Sequence, residues 1–419
     1  MDMMERQQAE LSEPTKNGWA RLVIVLIIAL LVGLQVWKAR SLDDGLSLIA
    51  DAFSEANTIR ASEGYAVEGF LKHAGLPDIA YGDQFSDTGS KGKADDKGTF
   101  VYTHYPPGPD LALGVLTLIF GKGNLGYFRL LPITVGLVGM VVFAWGMART
   151  LGDAKAALMM LGCAVVPMFS NMMHGLHHQG YALALLLVEL GLLMAMTANR
   201  TVGTRWFVAL AVVGFCHGWL TFDHTFLVVL APVPLAIGRW GQTGLMKRMA
   251  VSACVLGLGF VLAHTLHLFQ VALYYESLTK AIADLAQSAA ERSRGSISSK
   301  VDTTPMALLL AYLFDHIHSW RFFGWFFRLA VVFCAALIIT GRGRITFEEP
   351  RPMQIEWNVS PWIGFLSVLT AGVISSLWIL VMWNHAWYHI HYIPRQFFIF
   401  YFFLLLAIVQ ATTVRSEDV

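Results

Sequence analysis

The chain has 419 residues, of which 56% are hydrophobic and 14% are charged. Soluble domains carry about 25% charged residues, so this composition excludes an ordinary soluble protein. A formal net charge of +1 provides no basic surface for nucleic acid, and the four cysteines are too far apart to form a metal-binding pair. We therefore predict an all-α polytopic membrane protein without a nucleic-acid partner.

The chain begins with a polar segment at 1–20, which predicts a cytoplasmic tail. An apolar run at 21–37 follows, and because no small-residue cleavage site comes after it, we predict an uncleaved anchor. A bilayer span needs about 20 apolar residues. Nine further runs approach that length, which predicts about ten transmembrane helices. The nine runs are 127–148, 155–171, 180–198, 206–222, 224–238, 250–270, 322–340, 361–383 and 396–412.

These spans divide the chain into a transmembrane core at 127–270, C-terminal transmembrane helices at 322–419, and two long loops at 38–126 and 271–321. The first loop contains one ambiguous stretch, Gly108–Phe120, which is apolar but has only 13 residues. Pro106 and Pro107 precede it, and glycine and lysine follow it. Because it is too short to cross a bilayer comfortably, we predict a half-inserted or interfacial juxtamembrane helix.

The basic residues predict the orientation of the chain. Short cytoplasmic loops are enriched in lysine and arginine, and the loops at 149–154, 199–205, 239–249 and 341–360 each carry arginine. Placing these loops in the cytoplasm puts both termini there and both long loops outside.

With this orientation, all 14 histidines fall in outer loops or at the outer ends of spans. Acidic residues collect on the same face. Asp223 lies between His217 and His224 in the turn that joins two spans, and Arg395 opens the last span. Ionisable groups near membrane depth are costly and are usually retained for function. The pattern predicts a functional site on the outer face.

The order of the sequence motifs resembles the GT-C superfamily, the membrane glycosyltransferases that use polyprenyl-phosphate sugars. The resemblance rests on four segments within residues 20–200. They are Ile59-Arg60-Ala61-Ser62-Glu63-Gly64-Tyr65, Tyr102-Thr103-His104-Tyr105-Pro106-Pro107-Gly108-Pro109, Ile119-Phe120-Gly121 and Arg129-Leu130-Leu131-Pro132.

The resemblance implies a GT-C-like fold in a bacterial inner membrane, with sugar transfer to an acceptor at the periplasmic face. The implied partners are the bilayer, a polyprenyl-phosphate-linked sugar donor and further membrane subunits. No resident cofactor is implied, and a divalent metal stays open. Glu63 is the implied catalytic base. Asp223 is a second candidate catalytic acid, chosen for its position between His217 and His224 and not from the resemblance. The implied substrate-binding residues are His104, Tyr105, His389, His391 and Arg395.

One departure from the family keeps alternatives open. The family carries an acidic pair where this chain has Ser62-Glu63. Either Glu63 serves alone, or Asp43, Asp44 or Asp51 substitutes, or the protein is an inactive GT-C-like subunit of a larger complex. A His-rich metalloprotein is a separate alternative, because an HxxHH string at 174–178 resembles the iron ligands of membrane di-iron enzymes. Haem coordinated by histidine also remains open.

Overall fold

The computed structural model describes residues 17–47, 51–85, 87–89, 100–164, 166, 173–199, 201–238, 242–294, 304–314, 361–388 and 393–411. In these ranges the regular structure is helical and no strand forms. The helices are α1 (Gly18–Leu42), α2 (Ala52–Glu68), α3 (Gly108–Phe120), α4 (Leu125–Phe128), α5 (Leu130–Leu151), α6 (Asp153–Ala164), α7 (His178–Ala198), α8 (Thr204–Leu220), α9 (Thr225–Leu230), α10 (Pro232–Ile237), α11 (Thr243–Tyr274), α12 (Leu278–Arg294), α13 (Pro305–Phe314), α14 (Pro361–Val381), α15 (Trp383–Tyr388), α16 (Ile393–Gln396) and α17 (Phe398–Ala411).

Five helical segments among the described residues are long and apolar enough to cross a membrane. They correspond to the predicted spans at 21–37, 127–148, 180–198, 250–270 and 361–383. Their observed bounds are Gly18–Leu42, Leu125–Leu151, His178–Ala198, Gly244–Tyr274 and Ile363–Val381. The protein is therefore an all-α, multi-pass membrane protein.

The other predicted spans differ from the long helices or lie outside the described residues. Helix α8 has 17 residues, as many as the predicted run at 206–222, whereas α17 has 14, fewer than the run at 396–412. The run at 224–238 is divided into α9 and α10, because Pro232 removes a backbone donor. Helix α6 covers the first part of the run at 155–171, and the run at 322–340 lies outside the described residues. The predicted short helix at Gly108–Phe120 is present as α3, a 13-residue helix with those bounds; its half-inserted or interfacial position stays a prediction.

Glycines allow the central helices to approach closely. On α5, a Cβ added at Gly146 would lie 2.0 Å from the carbonyl oxygen of Gly191 on α7, and one at Gly139 would lie 2.6 Å from that of Ala184. Between α8 and α11, a Cβ at Gly214 would lie 2.5 Å from the carbonyl oxygen of Leu256. Small residues at helix interfaces let the backbones pack tightly where lipid provides no hydrophobic driving force.

The two ends of the bundle differ in composition. At one end, which we call the basic end, Arg21 contacts Asp153 at 2.8 Å, and Arg149 Nη2 donates to Asn199 Oδ1 at 3.0 Å. Arg248 Nη1 also donates there, to the carbonyl oxygen of Met196. Successive long helices alternate in direction, so the opposite ends of α7, α8 and α11 meet at the other end, which we call the histidine end.

Helices α2 and α3 cover part of the histidine end. They pack against each other: Thr58 donates to the carboxylate of Asp110, and Thr117 donates to Ser62 at 3.3 Å. Gly114 accommodates the ring of Tyr65, whose Cβ lies 3.0 Å from an added Cβ. The final residues of α3 are exposed and apolar, as suits an interfacial helix: Leu118, Ile119 and Phe120.

Candidate functional site

Tyr105 is the centre of a polar cluster at the histidine end. Its hydroxyl donates to Asp223 Oδ2 at 3.2 Å and lies 3.3 Å from His385 Nε2. Its ring stacks on Phe222, with centroids 4.6 Å apart, and on His178 at 5.4 Å. We call this group, with the two arginines described below, the Tyr105 cluster. Its members are Tyr105, His178, Phe222, Asp223, Arg292, His385 and Arg395.

The Tyr-Pro-Pro-Gly turn fixes Tyr105 in place. Pro106 and Pro107 have a restricted φ and end the extended segment that precedes α3. Gly108 then lies directly against α8, because an added Cβ would be 2.5 Å from the carbonyl oxygen of Trp219. Any larger residue at this position would push the turn away from the end of α8, and Tyr105 would move with it.

Asp223 occupies the short connection between α8 and α9. Its backbone N–H donates to Thr221 Oγ1 at 3.1 Å, and its backbone carbonyl accepts from Gln396 Nε2 at 3.0 Å. The carboxylate is 2% exposed, and in the described part of the chain Oδ1 has no hydrogen-bond partner. Buried polar atoms are normally paired, so an unpaired carboxylate oxygen indicates a place for a ligand group or water.

Two arginines bring positive charge to the cluster. The Arg292 guanidinium lies 5.2 Å from the ring centroid of Tyr105 and 4.8 Å from that of Phe222, a favourable cation–π distance. Arg395 is buried and lies close enough to His178 and His224 to oppose a positive charge on either ring. A guanidinium fork suits bidentate recognition of phosphate.

His104 lies beside the cluster, on a different set of contacts. Its Nε2 is 3.7 Å from Asp284 Oδ1 on α12, and its ring is tilted against that of Tyr102. Burial lowers the pKa of His104, and the charge of Arg292 lowers it further, although Asp284 partly offsets both effects. His104 is therefore neutral near pH 7 and can offer a phosphate a hydrogen bond but no charge.

Glu63 faces a separate cavity, which we call the Glu63 cavity. It has a volume of about 840 Å³ and opens to the surface. Glu63 Oε2 lies 3.8 Å from Lys122 Nζ, and the Glu63 side chain is largely buried while that of Lys122 is largely exposed. The lining residues are Glu63, Ala66, Val67, Tyr81, Gly82, Asp83, Gln84, Thr117, Lys122 and Gly123.

The predicted site residues thus fall into two places. Tyr105, Asp223 and Arg395 come together in the Tyr105 cluster, with His104 beside them. Glu63 lines the other cavity, together with none of those four. Asp51, at the N-terminal end of α2, lies near His178 of the cluster. Glu63 is twelve residues further along the chain, about 18 Å away at 1.5 Å per residue. His389 and His391 lie outside the described residues.

The structure adds residues that the sequence did not single out. Arg292 lies on α12, in a run that also contains Glu291 and Arg294. Asp110 opens α3 with a hydrogen bond from Thr58, and burial raises the pKa of its carboxyl to about 7. Asp51, considered only as a substitute acid, caps α2 and lies near His178. Its φ of +111° is a strained conformation for a non-glycine residue.

A second polar group at the histidine end, which we call the Arg129 network, pairs both oxygens of its buried carboxylate. Arg129 donates to both carboxylate oxygens of Glu55, at 2.6 and 2.9 Å, and to the carbonyl oxygens of His174 and Gly45. Glu55 also accepts from the backbone N–H groups of Ser47 and Leu176. Burial alone would raise the pKa of Glu55, but the hydrogen bonds and charge of Arg129, together with His177 and Ser47, outweigh burial and lower that pKa.

The same network bears on the metalloprotein alternative. Both ring nitrogens of His174 are occupied, by Ser47 Oγ at 2.9 Å and Gln35 Oε1 at 2.8 Å. The first histidine of the HxxHH string therefore serves the structure, and His178 is stacked on Tyr105 instead. Among the described residues, no three histidine, cysteine or acidic side chains are grouped as metal ligands.

Comparison with protein-family models gives no match for this chain, and comparison with curated proteins gives no similar sequence.

Proposed function

We propose that this protein is a membrane glycosyltransferase that moves a sugar from a polyprenyl-phosphate donor to an acceptor hydroxyl, with the Tyr105 cluster as its active site. The observation that carries the proposal is the buried Asp223 carboxylate, in a cluster that also contains Arg292 and Arg395. Tyr105 holds one of its oxygens, and the other has no partner among the described residues. A base beside positive charge is what displacement of a phosphate requires.

In the proposed reaction, Asp223 removes the proton from the acceptor hydroxyl. The acceptor oxygen attacks the anomeric carbon and forms the new glycosidic bond. The bond between that carbon and the donor phosphate breaks, and polyprenyl phosphate leaves with the electron pair. Arg395 and Arg292 stabilise the negative charge that develops on the phosphate. The proton remains on Asp223 until it passes to water.

The resemblance to the GT-C superfamily supports the sugar and the lipid-linked donor. The Tyr-Pro-Pro motif that carries much of that resemblance supplies the residue that holds Asp223. Asp223 replaces Glu63 as the proposed base, because Glu63 faces a cavity whose lining contains Lys122 but neither arginine. The positive-inside rule supports placing the histidine end at the outer, periplasmic face of a bacterial inner membrane.

The test is transfer by the full chain in proteoliposomes, with a panel of radiolabelled polyprenyl-phosphate sugars as donors. Asp223→Asn preserves shape and removes the base, so kcat should fall by about 10²–10⁴-fold. Arg395→Lys keeps a charge but loses the planar fork, so KM for the donor should rise while kcat changes less.

Glu63→Gln is the decisive comparison for the position of the base. If Glu63→Gln abolishes transfer while Asp223→Asn retains it, the base is Glu63 and the assignment to the Tyr105 cluster is wrong. If no donor in the panel supports transfer by the wild-type protein, the inactive-subunit alternative is favoured. Metal analysis of the same preparation tests the di-iron and haem alternatives directly.

A further inference from the structure

The charges around the Glu63 cavity are mainly negative. Glu63 and Asp83 line it. Burial raises the pKa of the Tyr81 hydroxyl, and the nearby carboxylates of Glu68 and Asp78 raise it further. Lys72 is paired with Glu68, and Lys122 stands at the rim beside Glu63. Like charges disfavour each other at close range. A phosphate would meet several carboxylates here, so this cavity does not suit the phosphate end of a donor.

The groups that line the cavity suit a ligand rich in hydroxyls. The carboxyl groups of Glu63 and Asp83 accept hydrogen bonds, and Gln84 and the hydroxyl of Tyr81 both donate and accept. The hydroxyl of Thr117, which donates to Ser62, can accept one. A sugar presents many hydroxyl donors and acceptors on a compact ring. Ala66 and Val67 add an apolar wall, and pockets with apolar or aromatic walls and a few placed polar groups are typical of small-molecule sites.

The backbone is adapted to keep Tyr81 and the cavity in place. The ring of Tyr81 lies against Gly64, where an added Cβ would be 3.3 Å from the ring Cγ. Gly82 has a φ of +65°, which favours glycine, and an added Cβ there would project to 3.6 Å from Glu63 Oε2. A side chain at either glycine would displace the ring or enter the cavity.

We propose that the Glu63 cavity is a sugar-binding site for an uncharged or amine-bearing sugar. Its role as part of the acceptor site rests on the proposed transferase function. Because the cavity does not share its lining with the Tyr105 cluster, it holds a part of the acceptor that is remote from the reacting hydroxyl. Remote contacts of this kind supply binding energy that positions the reacting group.

The binding test needs no donor and no turnover. Saturation-transfer NMR on the full chain in nanodiscs should detect methyl glucoside or glucosamine at millimolar concentration, and should give a much weaker signal with glucuronate. Tyr81→Ala and Glu63→Gln should each reduce the signal at least fivefold. Tyr127→Ala is the matched control, because Tyr127 is 73% exposed and lies outside the cavity lining. Thermal unfolding of each variant confirms that it is folded.

Three results would overturn the sugar site: no signal from either sugar, an equal signal in Tyr81→Ala and Tyr127→Ala, or stronger binding of glucuronate or inorganic phosphate. These results are independent of the transferase test. Sugar binding that depends on Tyr81, in a protein that transfers nothing, would retain the site and reject the transferase. If the sugar site and the transferase function are both correct, Glu63→Gln should raise KM for the acceptor with little change in kcat, whereas Asp223→Asn should lower kcat.

Discussion

The Arg129 network and the Tyr105 cluster lie at the same end of the bundle and use the same kinds of side chain, yet their hydrogen bonding differs. Both carboxylate oxygens of Glu55 are paired, with Arg129 and with backbone N–H groups. In the cluster, Asp223 has one paired oxygen and one without a partner among the described residues. Both carboxylates are almost fully buried, so exposure does not explain the difference.

The difference separates structural polar groups from groups that await a ligand. A buried ion pair is strongly destabilised when one partner is removed, because the other charge stays buried without compensation. A buried acid with an unpaired oxygen has lost its hydration in the free protein without gaining a hydrogen bond in return. A hydrogen bond from a ligand can compensate for that loss. The Arg129 network holds α2 against the start of α5, and in the proposed function the Tyr105 cluster receives the substrate.

The largest expected effect comes from breaking the Arg129 network. Glu55→Gln keeps the shape of the side chain but leaves the guanidinium of Arg129 buried without a counter-charge. The free energy of unfolding should fall by about 3–5 kcal/mol, measured by denaturant titration of the detergent-solubilised protein. Glu68→Gln on the same helix is the matched control. It breaks a more exposed pair with Lys72 and should cost less than about 1 kcal/mol. Equal losses in the two variants would contradict the structural role of the network.

Asp110 sharpens the comparison, because it is a buried acid with a hydrogen bond from Thr58 and no cation acting on it among the described residues. Its pKa rises from 3.8 to about 7 on folding. The folded state then holds a proton that the unfolded state has lost, so stability falls as pH rises from about 4 to about 7. Asp110→Asn removes this titration and should be more stable than wild type at pH 8.

The gain from Asp110→Asn should be about 2–3 kcal/mol larger at pH 8 than at pH 5, at about 1.4 kcal/mol per pKa unit. Unfolding temperatures of the two proteins across this pH range provide the measurement. Parallel curves would mean that Asp110 is ionised throughout and that its hydrogen bond is sufficient to hold the charge.

The helices that were predictable are those with strong local boundaries. Pro106 and Pro107 before α3 and glycine after it fixed both ends of a 13-residue helix. The run at 224–238 was less predictable. Its apolar composition indicates a span, but Pro232 divides it into two short helices. Local signals determine where a helix begins and ends, whereas hydropathy alone does not determine whether it is continuous.

The candidate site was predictable only in part, for a geometric reason. Tyr105, Asp223 and Arg395 were chosen for their chemistry and their predicted face of the membrane, and the fold brings them together. Glu63 was chosen from its place in a motif. The position of a residue on a helix determines the direction of its side chain as well as its depth in the membrane. The side chain of Glu63 lines a different cavity. Arg292 reaches the cluster through the packing of α12, which sequence periodicity cannot show.

The smallest expected effect on stability comes from removing the hydroxyl of Tyr105. Tyr105→Phe keeps the stacking on Phe222 and His178 but removes the hydroxyl that donates to Asp223. A single buried hydrogen bond contributes about 0.5–1.5 kcal/mol, well below the expected loss for Glu55→Gln. Transfer should fall more than stability does, by about tenfold, because the carboxylate loses the group that orients it, a partial loss of general-base catalysis.

Tyr65→Phe is the matched control for that variant. Tyr65 is also buried at the histidine end, and its hydroxyl donates to the carbonyl oxygen of Gly75 at 2.7 Å. Its loss should cost a similar free energy of unfolding and leave transfer unchanged. Equal losses of transfer in Tyr105→Phe and Tyr65→Phe would mean that the hydroxyl of Tyr105 acts only through stability. The open oxygen of Asp223 would then be a feature of the fold, and the contrast with the Arg129 network would carry no functional meaning.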